Sequence, residues 1–183
     1  MFVRRERPGD EAVVHAVHAA AFRRPDQADE PVEARLADEL RATGAAIRQL
    51  SLVAVVDGGV VGHVVCSRGW VGNQGDDIDA ADDGAHPALG LGPLGVLPEH
   101  QKQGVGQALM HAVLGAADAQ DEQIVALLGA PAYYGRFGFE PSHRYAVQPP
   151  DPAWGEHFQV RPLTTYDPSL RGTFRYAAPF AEL

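Results

Sequence analysis

Two uninterrupted apolar runs, Leu52-Val53-Ala54-Val55-Val56 and Val60-Val61-Gly62-His63-Val64-Val65, flank the triplet Asp57-Gly58-Gly59. Runs rich in β-branched residues with no polar alternation read as strands buried on both faces, and the triplet between them makes a tight hairpin. A sheet that is apolar on both sides has to be covered on both sides. The rest of the chain must therefore supply helices for two layers.

The sequence offers these helices. Residues 10–22 place Val13, Val14, Val17 and Ala21 at helical spacing. Pro31 suits a first helical position, and Val32, Leu36 and Leu40 then recur every four residues until Gly44 stops the run. Residues 104–119 carry Val105, Ala108, Leu109, Ala112, Val113, Ala116 and Ala117 on one face, and their many alanines suit close packing on a sheet. Further strands are expected at residues 2–5, 88–97, 124–128 and 157–161, with a turn over residues 135–138 after Tyr133-Tyr134. Pro149-Pro150-Asp151-Pro152 breaks the chain without adding a domain. The expected order is β-α-α-β-β-β-α-β-(α)-β, an α/β fold whose mixed sheet has helices on both faces. One domain over residues 1–183 is expected, with a core at about 2–145 and a strand-containing C-terminal extension at 146–183.

Composition narrows the function classes. With 45% hydrophobic and 21% charged residues, the chain is globular rather than disordered. Twenty-four acids against 15 Lys and Arg give a net charge of −9, which argues against nucleic acid as a partner because phosphate contacts need a basic patch. No run of about 18 apolar residues is present and the N-terminus lacks a signal-peptide pattern, so a cytoplasmic protein without a membrane anchor is expected. The single cysteine, Cys66, lies in an apolar run and reads as a small core residue; no disulfide or metal-ligand pair is available to it. Asp76, Asp77, Asp79, Asp82 and Asp83 fall in residues 72–86 without the glycine and glutamate of a calcium loop, and read as solvated.

The chemistry concentrates in residues 94–109. There a strand, Leu94-Gly95-Val96, runs through Leu97-Pro98-Glu99-His100-Gln101-Lys102-Gln103 into a helix that starts at Gly104 and Gly106. Glycines at a helix start let a ligand approach the backbone, and the unpaired N–H groups and positive dipole end favour an anion such as phosphate. A second glycine pattern, Gly90-x-Gly92-x-x-Gly95, has the spelling of a dinucleotide fingerprint. Its glycines lie within the strand instead of opening a helix, and no acid stands near position 110, so a nicotinamide site is rejected. Those glycines bend the strand and leave room beside it.

The pattern Val96-x-Pro98-x-x-Gln101-x-x-Gly104-x-Gly106 resembles the acyl-CoA signature of the GNAT superfamily of N-acetyltransferases. A second stretch, Leu128-Gly129-Ala130-Pro131-Ala132-Tyr133-Tyr134-Gly135-Arg136-Phe137-Gly138-Phe139-Glu140-Pro141, resembles the YhbS-like branch of that superfamily. The resemblance runs from Phe2 to at least Pro141. It implies a GNAT fold, acetyl-CoA as cofactor and direct transfer of its acetyl group to an amine, on a small molecule or a protein, by a monomer or homodimer. It implies that Lys102, Gln103, Gly104, Val105, Gly106 and Gln107 surround the CoA pyrophosphate. Leu94, Gly95 and Val96 would pair with the pantetheine arm, with the Leu94 N–H polarising the thioester carbonyl. Tyr134 would protonate the departing CoA thiolate, since a phenol holds its proton at neutral pH.

Two departures stand against the family pattern. Many relatives carry a glutamate base on the strand before the turn, and residues 89–96 hold no carboxylate. The candidates for the base are then Glu30 and Glu33 near the start of the second helix, His63 on the third strand and His86 before the fourth. In the branch, the position of Ala130 is often aspartate. An acyl-CoA-binding regulatory module with little turnover is the alternative reading, and Gly90, Gly92 and Gly95 leave open an acyl chain longer than acetyl.

Overall fold

The computed structural model describes residues 1–24, 29–72 and 85–182. The acidic residues 76, 77, 79, 82 and 83 lie outside them. Backbone contacts divide the chain into a first unit, Met1–Ser67, Leu91–Ala117 and Ala178–Leu183, and a second, Arg68–Gly90 and Asp118–Ala177.

In the first unit, strand β1 (Phe2–Arg5) pairs antiparallel with β2 (Ala46–Val56), Phe2 opposite Val55 and Arg5 opposite Leu52. β2 turns into β3 (Gly59–Gly72) with Val53 opposite His63 and Val56 opposite Gly59. The turn itself is Asp57-Gly58, both at positive φ (50° and 86°), the mirror-image geometry that matches strand twist. Gly59 already belongs to β3. Both strands outrun the apolar runs that announced them. β2 starts at Ala46 because a register shift between Ala46 and Ser51 lets the polar residues Arg48 and Gln49 ride exposed on the strand.

Helix α1 (Glu11–Ala21) buries Val14, Val17 and His18, and Val14 packs with Val53 and Val55. Val13, expected on this face, is 37% exposed. The histidine takes the place on the buried stripe that the spacing had assigned to apolar residues. Helix α2 (Val32–Ala42) buries Ala34, Leu36, Ala37 and Leu40; Pro31 precedes the first helical residue, with ψ 135°. Helix α3 (Val105–Asp118) buries Val105, Leu109, Met110, Val113, Leu114 and Ala117. Its close approach to the sheet comes from Gly62 rather than from its alanines. A Cβ on Gly62 would lie 3.1 Å from both Leu109 Cδ1 and Val105 Cγ1. Gly62 and its neighbour His63 point to opposite faces of β3, and α1 and α3 cover those two faces.

The second unit is built on β5 (Ile124–Leu128), β8 (Phe158–Pro162) and the part of β4 (His86–Val96) up to Gly90. β4 pairs parallel with β5 through Leu89–Val125 and Gly90–Ala126, and β8 runs antiparallel to β5 from Ile124–Pro162 to Leu128–Phe158. Three strands were not foreseen: β6 (Glu140–Pro141) on β8, β7 (Val147–Gln148), and β9 (Gly172–Arg175), which joins β7 to the end of β3. Two to four residues are too few to show a period of two. The core of this unit gathers Val71, Ile124, Phe158, Leu170 and Phe174, so residues after 146 supply much of its bulk. Buried aromatic and aliphatic side chains of this size each contribute about 1.5–3 kcal/mol. Cys66 is buried in β3, as a core residue.

Candidate functional site

The chemistry-bearing turn lies wholly in the first unit. β4 pairs with β5 only as far as Gly90, and its residues 91–96 run on past the last pair. Gly92 sits at φ +145°, which bends the strand within this stretch. The chain then leaves β4 through a short 3-10 turn, Pro98–His100, anchored by Leu97 N–H donating to Val61 O at 2.9 Å. Gln101 reaches back, its Nε2 donating to Val96 O at 3.0 Å, and Gln103 Nε2 donates to Glu99 O at 2.7 Å. The side chain of Gln101 thus ties the strand end to the helix mouth, a physical reason for glutamine at that point.

Lys102 (φ +58°) and Gly104 (φ +85°) both occupy the left-handed region. Lys102 is held there against its preference, a strain typical of ligand-holding turns. Gly104 faces open space at the position of a Cβ, and its carbonyl accepts from Ala108 N–H at 2.9 Å. The N–H groups of Val105, Gly106 and Gln107 fall in the first turn of α3 and have no acceptor within the helix. With the exposed Lys102, Gln103 and Gln107 around them, they form a cationic mouth suited to a phosphate.

Behind this strand end lies a polar chain that sequence reasoning missed except for His63 and, at its exposed end, Glu30. His18 Nε2 and His63 Nδ1 stand 2.8 Å apart, and His63 Nε2 lies 2.9 Å from Ser51 Oγ and 3.4 Å from Glu6 Oε2. Ser51 donates a short hydrogen bond to Glu6 Oε2, and Arg41 Nε donates to Glu6 Oε1 at 3.0 Å. Arg41 also pairs with Asp38 at 2.8 Å; Asp38 lies 2.7 Å from His15 Nδ1, and Glu30 lies 2.9 Å from His15 Nε2. Burial pushes the Glu6 carboxyl up, but hydrogen bonds from His63 and Ser51 and the charges of His63 and Arg41 overcome it and bring it down to about 2. Burial, reinforced by His63 and Arg41, holds His18 well below the ordinary histidine value; burial likewise lowers His63 despite Glu6. Both rings are neutral at neutral pH. His18 packs directly on the strand end: a Cβ on Gly95 would lie 2.6 Å from His18 Nδ1 and 3.4 Å from the Ala21 Cβ. Gly95 is therefore glycine for His18.

The second unit holds Tyr134. Helix α4 (Pro131–Tyr134) starts at Ala130, whose carbonyl accepts from Tyr133 N–H at 2.9 Å and Tyr134 N–H at 3.1 Å. The Tyr134 ring lies over Gly129, where a Cβ would come within 2.7 Å of Cδ2. Tyr133 and Phe139 meet it edge-on, with centroids 4.9 and 6.0 Å away. Burial, with a smaller contribution from Tyr133, raises the Tyr134 phenol to about 12. Gly138 (φ +80°) ends the turn that follows.

The remaining base candidates fall apart in space or in role. Glu30 is exposed and engaged with His15, Glu33 sits in the first turn of α2, and His86 opens β4 in the second unit. Only His63 joins a buried network. His18 carried one sequence signal, its i+4 spacing from the buried Val14. Glu6 and Ser51 carried none, because strand pairing alone brings them to His63.

Comparison with known proteins gives concordant results. The profile of the acetyltransferase (GNAT) domain matches residues 48–141. An uncharacterized N-acetyltransferase of Escherichia coli K12, YhbS, is 32% identical over 173 residues, which is 94% of this chain and 92% of that protein. The crystal structure of Escherichia coli YhbS in complex with CoA superposes with a TM-score of 0.80 at 28% identity, covering 98% of this chain and 91% of that one. A GNAT family acetyltransferase from Brucella melitensis, crystallised with acetyl-CoA, gives a TM-score of 0.70 at 32% identity over 98% of this chain and 97% of that one.

Proposed function

The chain belongs to the GNAT family of acetyltransferases, and on that premise we propose how its residues transfer the acetyl group of acetyl-CoA to an amine. The observation that carries the reading is the mouth of α3, where Lys102 and Gly104 hold left-handed backbone just before the helix and the first-turn N–H groups have no acceptor within it. The CoA pyrophosphate binds to the N–H groups of residues 102–107, and the helix dipole adds to its hold. The pantetheine arm lies along Leu94, Gly95 and Val96 as an added strand, which the end of β4–β5 pairing at Gly90 supports. The Leu94 N–H stabilises the oxyanion that forms on the thioester carbonyl.

Tyr134 gives its proton to the CoA thiolate as the C–S bond breaks. A phenol pushed up to about 12 holds that proton throughout the neutral range. No acyl-enzyme is required, because the thioester is already activated and the site orients two reactants. The acceptor is an amine of a small molecule or a protein, and the reaction runs in the cytoplasm. No helix among the described residues is long and apolar enough to cross a membrane.

Calorimetric titration with acetyl-CoA tests the reading. Saturable binding to the intact chain that is lost in Gly104→Glu supports it; absence of binding to the intact chain sinks it. A second reading, a CoA-binding module without turnover, is favoured by one observation, the lack of any carboxylate on β4. Thiol release from acetyl-CoA in the presence of amines separates the two.

A further inference from the structure

The chain carries 24 acids against 15 Lys and Arg, yet five of those cations gather where β1 ends and β2 begins. Two clefts lie there within the first unit. One, of about 400 Å³, is walled by Arg7, Arg41 and Arg48 with Glu6, Glu11 and Ser51. The other, of about 410 Å³, is walled by Arg4, Arg5, Arg7 and Arg48 with Glu6. Arg7 and Arg48 line both. Volumes of this size suit a small molecule.

Two of the five arginines are already matched. Arg4 donates to both carboxylate oxygens of Asp10, at 2.6 and 3.0 Å. Arg41 pairs with Glu6 at 2.7 Å and with Asp38 at 2.8 Å. The guanidinium groups of Arg5, Arg7 and Arg48 have no hydrogen bond or ion pair among the described residues, and all three side chains are exposed. On the acidic side, Glu6 is held by Arg41 and Ser51, which leaves Glu11. Three guanidinium charges facing one carboxylate leave two positive charges unmatched in a chain of net charge −9. Like charges gathered in this way repel one another until an anion joins them.

The arginines are also placed by fixed backbone. The Arg7 N–H donates to Asp10 Oδ2 at 2.8 Å and its carbonyl accepts from the Asp10 N–H at 3.0 Å, so the turn that carries Arg7 is tied at both ends. Arg5 closes β1 opposite Leu52, and Arg48 rides on β2 within the register shift between Ala46 and Ser51. A site set on strands and a tied turn holds its donors ready for a ligand.

We propose that Arg5, Arg7 and Arg48 bind the phosphate monoester group of a small molecule, at a site separate from the mouth of α3. A phosphate monoester brings a charge of about −1.5 to −2 near pH 7 and three acceptor oxygens, which match two unmatched positive charges and three guanidinium groups. A carboxylate brings one charge and two oxygens. Guanidinium groups take phosphate through paired, charge-assisted hydrogen bonds. None of the residues that line the clefts takes part in the acetyl-CoA reading above, so the proposal stands apart from it.

The test is calorimetric titration with ribose 5-phosphate at low ionic strength, on the intact chain alone and on the chain saturated with acetyl-CoA. One site per chain is expected, with the same Kd in both states, and ribose without its phosphate gives no binding. Arg5→Ala, Arg7→Ala and Arg48→Ala are each expected to weaken binding by about tenfold or more. Their side chains are exposed, so the variants keep the fold, which circular dichroism checks. Lys102→Ala leaves the affinity for ribose 5-phosphate unchanged. Absence of saturable binding to the intact chain overturns the proposal, and so does full affinity in the Arg7→Ala/Arg48→Ala double variant. Competition by acetyl-CoA, or loss of binding in Lys102→Ala, places the phosphate at the mouth of α3 and overturns it as well. The titration of the chain alone decides the matter even where acetyl-CoA itself does not bind, so the two failures are told apart.

Discussion

His18 Nε2 and His63 Nδ1 stand 2.8 Å apart with their rings edge to face at 84°, and both rings are fully buried. This contact joins α1 to β3 across 45 residues of sequence. On its far side His18 fills the space that glycine leaves at position 95. Gly95 on β4 and the ionised Glu6 are thereby linked through two buried imidazoles and Ser51.

The fit at Gly95 is tight enough to test. Gly95→Ala places a methyl group 2.6 Å from His18 Nδ1 and 3.4 Å from the Ala21 Cβ. The imidazole is packed and cannot swing away freely, so the variant is expected to lose about 1–3 kcal/mol by overpacking. Urea denaturation checks this; unchanged stability would mean that α1 moves aside at little cost.

Tyr134→Phe removes one hydroxyl and leaves the ring seated over Gly129. Turnover is expected to fall by about a hundredfold while acetyl-CoA affinity changes little. Steady-state kinetics beside calorimetry measures both. Unchanged turnover would take Tyr134 out of the acid role.

Ala130 occupies the N-cap position of α4 with extended geometry (φ −71°, ψ 119°) and has no side chain to offer the helix start. Ala130→Asp should accept from the first-turn N–H groups and stabilise the chain by about 0.5–2 kcal/mol. Turnover is expected to stay the same, because the change supports the helix rather than the reacting atoms. A melting temperature that fails to rise would count against a capping role.

Stability should depend on pH through two opposed sets of histidines. His18 and His63 are lowered from 6.5 in the fold. As pH drops below 6.5 the unfolded chain binds protons that the folded one refuses, and stability is lost. His15 is raised, by hydrogen bonds to Glu30 and then Asp38. Its contribution is full below 6.5 and is lost as pH rises through its folded value. It is an accessible pair, so it is worth under about 1 kcal/mol. Thermal unfolding at about pH 5 and pH 8 is expected to show a less stable protein at the lower value. The His15→Gln deficit should be visible only there. A deficit equal at both values would rule out the His15 clamp.

The sequence by itself determined the elements whose signals are local. The hairpin at Asp57-Gly58 follows from turn chemistry between apolar runs, β1 and β5 from short runs followed by turn residues, and the three long helices from their periodicity. The helix mouth at Gly104 was legible because a backbone that needs φ +85° needs a glycine. Tyr134 came only from a resemblance, since no spacing rule gives a tyrosine a proton to donate. Tertiary structure alone decided the rest. Strands β6, β7 and β9 exist because longer strands offer them an edge, which two to four residues cannot announce. Glu6, Ser51, His63 and His18 come from four different segments, with the pair Glu6 and His18 far in the chain from the pair Ser51 and His63. Strand register and the seating of α1 bring them within hydrogen-bond reach. A hydrogen bond depends on tenths of an ångström between atoms, and sequence spacing carries that information only within a helix turn or a strand pair.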